Sequence, residues 1–145
     1  RVATIAAFLT EARRQINAEG CAVAADIFAA VLESSGDEGI GQMPGPLSNA
    51  VDVLSPMVYP SHYASGWRGF EDPTDYPSEV VGGALSTGLT KLEGPAIYRP
   101  WLETYPQSVE GILAEQAEAT ERGLGWMLWS ANTRFSEEFL PPASE

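Results

Sequence analysis

The 145-residue chain has one cysteine and one histidine, and it has little that would hold a metal or a cofactor. A lone cysteine excludes a disulfide within the chain, and it also excludes a cysteine-rich zinc site. Carboxylates are not clustered at the spacing of metal ligands, and there is neither a phosphate-binding glycine-rich loop nor a Gly-x-Ser-x-Gly elbow. We therefore expect no metal and no cofactor. Cys21 lies in an apolar run, which predicts a buried, inert thiol.

Positive charge is also scarce. The chain has 8 basic and 20 acidic residues, for a formal net charge of -12. Such a surface repels phosphate backbones and anionic lipid headgroups, so we expect no nucleic-acid partner. No apolar run is long enough to cross a bilayer, and we expect no membrane insertion. Neutral sugars remain compatible with this surface.

What the sequence does contain is typical of a packed domain. Its hydrophobic content is 44% and its aromatic content 10%, which suits one globular domain over residues 1–145. The chain starts at Arg1, without a methionine and directly in a helical pattern. We therefore expect it to be a processed, truncated or excised piece of a longer protein.

Helical periodicity alternates with short apolar runs along the chain. Three helices are predicted: over 2–18 with Gly20 as the stop, from Pro77 onward, and from the cap Ser108 to 122. On the third helix Glu115 is predicted to lie on the solvent-exposed face. Strands are predicted within 21–32, 51–59, 96–101 and 126–130, a loop over 34–48, and a helical tail over 135–140 that ends at Pro141 and Pro142. Strands that alternate with helices predict parallel pairing with right-handed crossovers.

Each predicted strand has two different faces, because alternate residues point to opposite sides. One face is apolar and suits covering helices, and the other carries polar and aromatic groups near the strand's end. This pattern fits a (β/α)8 barrel, although an open doubly wound sheet also has its sites at these ends. Four strand-helix units are half of a barrel of ~250 residues. Since an isolated half leaves two unpaired edges, we expect the remaining half-barrel or a second copy as a partner.

A specific string, Ser55-Pro-Met-Val-Tyr-Pro-Ser-His-Tyr63, resembles the bacterial glycoside hydrolase family known as domain of unknown function 4015. Four further blocks follow the family's order: 25–28, 39–42, 99–102 and 125–129. The resemblance implies the C-terminal half, strands five to eight, of a (β/α)8 TIM barrel, and an extracellular or cell-envelope location. Met57-x-Tyr59 and Trp129 are more loosely similar to family 18 chitinases, from which no catalytic role is carried over.

The chain departs from the family's pattern at several positions. The family's strand-four block, an Asp-Tyr-x-Arg-Phe-Pro string, has no match here, which implies that a catalytic acid expected from that strand is absent. Glu103 stands where relatives tend to have Gln after Pro-Trp-Leu, and Met43-Pro44 follows Gly-Gln.

Glycoside hydrolysis usually needs two carboxyl groups, and Asp26 is the best catalytic candidate on this chain. It lies among Ala22, Ala24 and Phe28, a poorly solvated setting that favours the protonated form and hence the role of general acid. The alternative is a structural acid, hydrogen-bonded to a neighbouring loop or to an arginine of the missing half.

Sugar binding is expected from groups at the strand ends. Indole rings stack on the apolar face of a pyranose, so Trp101 and Trp129 are candidate platforms, with simple core packing as the alternative. His62, in a loop just past a strand, is a candidate for a sugar-hydroxyl contact or an ordinary hydrogen-bonded side chain. Arg99 would contact a carboxylate or form a structural ion pair. The other candidate binding residues lie on the mixed face of the second strand: Ser55, Met57 and Tyr59.

The sequence thus predicts a glycoside hydrolase that acts on a bacterial poly- or oligosaccharide. As a half-barrel the chain is expected to be inactive alone. Two alternatives stay open: a non-catalytic carbohydrate-binding barrel, and a structural α/β domain whose aromatic residues fill a core.

Overall fold

The computed structural model describes residues 1–140, and it shows a mixed α/β fold built on a parallel sheet; Pro141 and Pro142 lie outside the described residues. The helices are α1 (Val2–Ala18), α2 (Ala30–Glu33), α3 (Pro44–Ala50), α4 (Pro77–Leu89) and α5 (Val109–Glu121). The strands are β1 (Ala24–Phe28), β2 (Val53–Val58), β3 (Ile97–Tyr98), β4 (Trp101–Glu103) and β5 (Met127–Trp129). Short 3-10 turns occupy Pro60–His62, Trp67–Gly69, Pro73–Asp75 and Glu137–Phe139. Within residues 1–140 no helix is long and apolar enough to span a bilayer.

All strand pairs are parallel, as the alternation of elements predicts. The sheet runs in the order β1-β2-β4-β5, and β3 pairs with β2. Strands β1 and β5 are therefore the two edges, each with one neighbour among the described strands. The carboxyl ends of all the strands lie at the same edge of the sheet, where the chemistry of α/β proteins gathers.

One face of the sheet is covered by helices. Ile27, Leu54, Val58 and Leu102 are fully buried there, with further apolar side chains from α3 and α4. Each large apolar side chain that is fully buried stabilises the fold by about 1.5–3 kcal/mol relative to the exposed side chain. This layer is the hydrophobic core that holds the strands in register.

The opposite face of the sheet is far less covered by other parts of residues 1–140. Ala24, Asp26 and Phe28 are exposed along β1, while Ile27 between them is fully buried. The register pairs Phe28 with Met57, and Met57 with Trp101, so these side chains form a row across three strands. The two faces predicted from alternation are confirmed.

The predicted ends of two helices are confirmed. Gly20 has φ of +76°, and the N–H groups of Gly20 and Cys21 donate to the carbonyls of Asn17 and Ile16, which ends α1 in a Schellman-type motif. Ser108 caps α5: its hydroxyl accepts from the N–H of Gly111 at 3.1 Å.

Three sequence predictions about elements are wrong. The predicted loop 34–48 contains the start of α3, since Pro44 and Pro46 are acceptable in a first helical turn. The apolar run 21–32 is not one strand: strand β1 ends at Phe28, and the rest of the run belongs to helix α2. The third strand is interrupted at Arg99-Pro100, because proline has no N–H for the ladder.

Two burial predictions are also wrong. Cys21 is exposed rather than buried, because it lies between the end of α1 and β1 and not within the sheet. Glu115, predicted on the wet face of α5, is fully buried, and neither of its oxygens has a hydrogen-bond partner in the part of the chain described. Burial, together with the nearby charge of Glu103, raises the pKa of Glu115 to about 10, so this carboxyl is neutral at pH 7.

The buried carboxyl of Glu115 predicts a specific dependence of stability on pH. Because its pKa is raised in the folded state, the folded chain binds a proton that the unfolded chain releases, and stability falls as the pH rises from about 4.5 towards about 10. Glu115→Gln removes this loss and should stabilise the protein by at least about 1 kcal/mol at neutral to mildly alkaline pH. Urea unfolding over a series of pH values measures it. The exposed Glu110→Gln on the same helix is the control, and equal pH slopes for both variants would contradict the prediction.

Candidate functional site

The most direct contact between predicted site residues joins β1 and β4. The indole Nε1–H of Trp101 donates to Oδ1 of Asp26 at 2.9 Å. Asp26 is exposed, so the poorly solvated setting expected for it is not found. An exposed carboxyl that accepts an indole N–H is held in one orientation and remains open to a ligand, an arrangement that suits a carboxylate acting as nucleophile or base.

A second cluster lies at the carboxyl ends of β2 and β5. The rings of Tyr59 and Trp129 are stacked, with centroids 5.0 Å apart and an interplanar angle of 17°. His62 meets Tyr59 edge-on at 5.1 Å. Tyr59 is buried beneath these rings, whereas His62 and Trp129 stay exposed. Trp129 therefore presents an indole ring at the mouth of the sheet and does not simply fill a core.

The hydroxyl of Tyr59 lies within the electrostatic influence of two carboxylates. Burial raises its pKa, and the charges of Asp26 and Glu103 raise it further. Tyr59 thus keeps its proton and can act as a hydrogen-bond donor. The charges of both carboxylates, on β1 and β4, thus act on the phenol at the end of β2.

Ser55 and Arg99 lie deeper on the same face. Ser55 pairs across the strands with Asp26, and Arg99 follows Tyr98, the partner of Leu54. The hydroxyl of Ser55 and Nε of Arg99 are buried and lack hydrogen-bond partners among residues 1–140. Buried polar groups are rarely left unpaired, so this layer has capacity for further hydrogen bonds to an acceptor such as a carboxylate.

Glu103, at the end of β4, holds the segment that carries His62. Its two carboxylate oxygens accept from the backbone N–H of Ser61 at 2.7 Å and from the Ser61 hydroxyl at 2.6 Å. The side chain is fully buried, and burial raises its pKa while the bonds from Ser61 oppose that rise. Glu103 is thus a positioning residue that fixes the turn between Tyr59 and His62.

Comparison with known families gives the family of the chain. A family model described as "Putative glycosyl hydrolase domain", domain of unknown function 4015, matches residues 1–135. The chain belongs to this family. Comparisons with curated proteins and with solved structures gave no match. The family predicted from the Ser55–Tyr63 string is confirmed.

The predicted site residues that lie within strands share one face of the sheet: Asp26, Ser55, Met57, Trp101 and Trp129. Three contacts could not be foreseen from the sequence: Trp101 with Asp26, Tyr59 with Trp129, and Glu103 with Ser61. Glu103 could have been placed on this face, because it follows Trp101 by two residues and strand side chains alternate. Its partner Ser61 could not, since it lies 42 residues away in the sequence. Among the described residues no three His, Cys, Asp or Glu side chains are grouped to hold a metal ion.

The Glu103–Ser61 contact predicts different effects of two substitutions. Glu103→Gln keeps an acceptor for the Ser61 N–H and a donor to its hydroxyl, so it should leave stability nearly unchanged. Glu103→Ala removes both acceptors that Ser61 uses and opens a cavity at a fully buried position, which should cost about 2–4 kcal/mol. Urea denaturation measures the stability, and amide hydrogen exchange at Ser61 should accelerate only in the alanine variant. Equal destabilisation by both variants would exclude this role.

Proposed function

We propose that this protein is a glycoside hydrolase that acts on a poly- or oligosaccharide, with Asp26 as one of its catalytic carboxyl groups. The observation that carries the proposal is the Asp26–Trp101 hydrogen bond on the same face as the Tyr59–Trp129 stack. Cleavage of a pyranoside needs positioned carboxyl groups and a surface on which the sugar ring can stack, and Asp26 with the exposed indole of Trp129 supplies one of each. Membership of a glycosyl hydrolase family supports the same reaction class.

The reaction divides the work between two carboxyl groups. One protonates the leaving oxygen, and the other attacks the anomeric carbon or activates a water. Asp26 is exposed and fixed by Trp101, so it supplies one of the two. We propose that the second comes from a part of the complete barrel outside this chain, and that Arg99 and Ser55, with their unpaired polar atoms, contact it or the substrate.

We also propose that this five-stranded sheet with its helices is the C-terminal half of a (β/α)8 barrel, in which β3 and β4 together form one barrel strand. Three observations support this. The strands are parallel in the order of the chain, both edge strands lack one neighbour among the described residues, and the face opposite the helices is exposed at Phe28. In addition, Phe8 on α1 is 71% exposed, although its helix packs on α3. A complementary half-barrel would cover each of these surfaces.

A second candidate function is a non-catalytic carbohydrate-binding barrel. The strand face described here carries two carboxyl groups, Asp26 and Glu103, and Glu103 is fully buried and bonded to Ser61. One accessible carboxyl and several aromatic rings suffice to bind a glycan but not to hydrolyse it by the usual two-carboxyl mechanism.

The role of Asp26 is tested in the complete protein on a panel of polysaccharides. Asp26→Asn keeps the size of the side chain and an acceptor for the Trp101 N–H, so the fold should persist while turnover falls by at least about 10³-fold. Release of reducing sugar measures the rate. Glu71→Gln, in the exposed loop after β2, is the control and should retain full activity. Unchanged hydrolysis by Asp26→Asn would remove this residue from the mechanism, and glycan binding without any turnover by the wild type would select the second candidate.

The half-barrel is tested by the behaviour of residues 1–145 in isolation. Because two parallel edges and the exposed face would remain uncovered, the fragment should self-associate, whereas co-expression with the rest of the barrel should give one soluble complex. Size-exclusion chromatography with light scattering reports the mass. A monodisperse monomer of the isolated fragment would count against the proposed half-barrel.

A further inference from the structure

A cavity of about 550 Å³ opens beside the Asp26 site, at the carboxyl ends of β1 and β2. Its walls include the rings of Phe28, His62, Tyr63 and Trp67, its rim carries Glu33, and Met57 also lines it. The volume is within the range of ~300–1,000 Å³ that is usual for small-molecule sites. Aromatic walls with one carboxylate and one imidazole offer stacking surfaces and hydrogen bonds to the same ligand.

The cavity adjoins the proposed catalytic face, with which it shares Phe28 and Met57. Phe28 follows Asp26 by two residues on the same side of β1, which places the two side chains about 7 Å apart along the strand. Met57 pairs with Trp101, the residue that holds Asp26. On the other side His62 touches Tyr59, the ring stacked on Trp129. A chain molecule that fills the cavity would therefore pass directly to the carboxyl group.

Trp67 is held rigidly in the cavity wall. The guanidinium of Arg68 lies 4.7 Å from its ring centroid, and Arg68 donates to both carboxylate oxygens of Glu33 at 3.0 and 2.9 Å and to the hydroxyl of Thr87 at 3.4 Å. Arg68 lies over one face of the indole and Tyr63 packs against the ring at a centroid distance of 4.6 Å, so a ligand would meet the part of the ring that lines the cavity. A ring held in this way loses little conformational entropy when a ligand stacks on it.

Charge indicates which ligand the cavity would take. Glu33 and the nearby Asp26 are acidic, the positive charge of Arg68 is engaged by Glu33, and the chain as a whole carries a net charge of -12. An anionic sugar such as a uronic acid would be repelled by these groups. The apolar face of a neutral pyranose matches the aromatic walls, and its hydroxyls match the imidazole and the carboxylate.

We propose that this cavity is a separate sugar subsite, next to the catalytic face, that binds one neutral pyranose ring of the glycan through Phe28 and Trp67. The inference rests on the proposed glycoside hydrolase function and adds a substrate class to it: neutral glycans long enough to reach from Asp26 into the cavity. Longer neutral oligosaccharides should then bind more tightly than short ones.

The test uses the complete protein and neutral gluco-, galacto- and N-acetylglucosamine oligosaccharides from disaccharide to hexasaccharide, with oligogalacturonates as anionic probes. His62 lines the cavity, so its ring signals in NMR, assigned by their loss in His62→Gln, report on binding there. We expect one neutral series to shift these signals and to bind more tightly with length. Trp67→Ala and Phe28→Ala should each weaken the longer oligosaccharides about ten-fold, whereas Trp67→Phe should restore most of the affinity. Tyr76→Ala, an aromatic of the same segment outside the cavity, is the matched control.

The outcomes separate the subsite from the function. If the wild type binds and cleaves neutral glycans but Trp67→Ala and Phe28→Ala match it at every chain length, the subsite is overturned and the hydrolase proposal stands. A shift of His62 by oligogalacturonates alone would also overturn the subsite. If no glycan is bound or cleaved by the wild type, the proposed function itself fails, and the subsite fails with it.

Discussion

The structure depends on a parallel register in which every strand turns the same alternate residues to the same side. Helices supply one side with a continuous apolar layer, and burial of Ile27, Leu54, Val58 and Leu102 there holds the strands at fixed heights. The register that this packing fixes also fixes which side chains are neighbours on the other face of the sheet. Asp26, Ser55 and Trp101 come together because their neighbours in the sequence are buried in the core. The chemistry of this protein is thus a consequence of how its apolar residues pack.

Two buried glutamates differ in whether their carboxyl groups have hydrogen-bond partners. Glu103 is fully buried, and two bonds from Ser61 partly offset its lost hydration and fix the turn before His62. Glu115 is equally buried without such bonds, and its raised pKa keeps it neutral. A carboxyl group that is never charged at pH 7 costs much less to bury than an ionised one. The site thus gains a rigid turn at Ser61, while the core beneath it retains a group sensitive to pH.

The aromatic residues at the mouth of the sheet divide into two groups with different partners. Tyr59 and Trp129 stack on each other beside the carboxylates, and Trp67 is backed by the Arg68–Glu33 ion pair next to Phe28. His62 contacts the first group and lines the cavity of the second. Rings in both groups are oriented by neighbours before any ligand arrives, which is the property that makes aromatic surfaces effective for sugars. A single turn, fixed by Glu103, therefore connects the proposed catalytic face with the neighbouring cavity.

Local signals in the sequence were sufficient for much of the fold. The length of α1, its stop at Gly20, the cap at Ser108, the parallel order of the strands and the two faces of each strand follow from periodicity and turn chemistry, and the Ser55–Tyr63 string was enough for the family. These features depend on residues a few positions apart. The contacts of the site do not: Trp101 and Asp26 are 75 residues apart, and Ser61 and Glu103 are 42. Only the packing of the helices on the sheet decides which side chains meet across strands, which face of α5 is buried with Glu115, and that Cys21 is left outside.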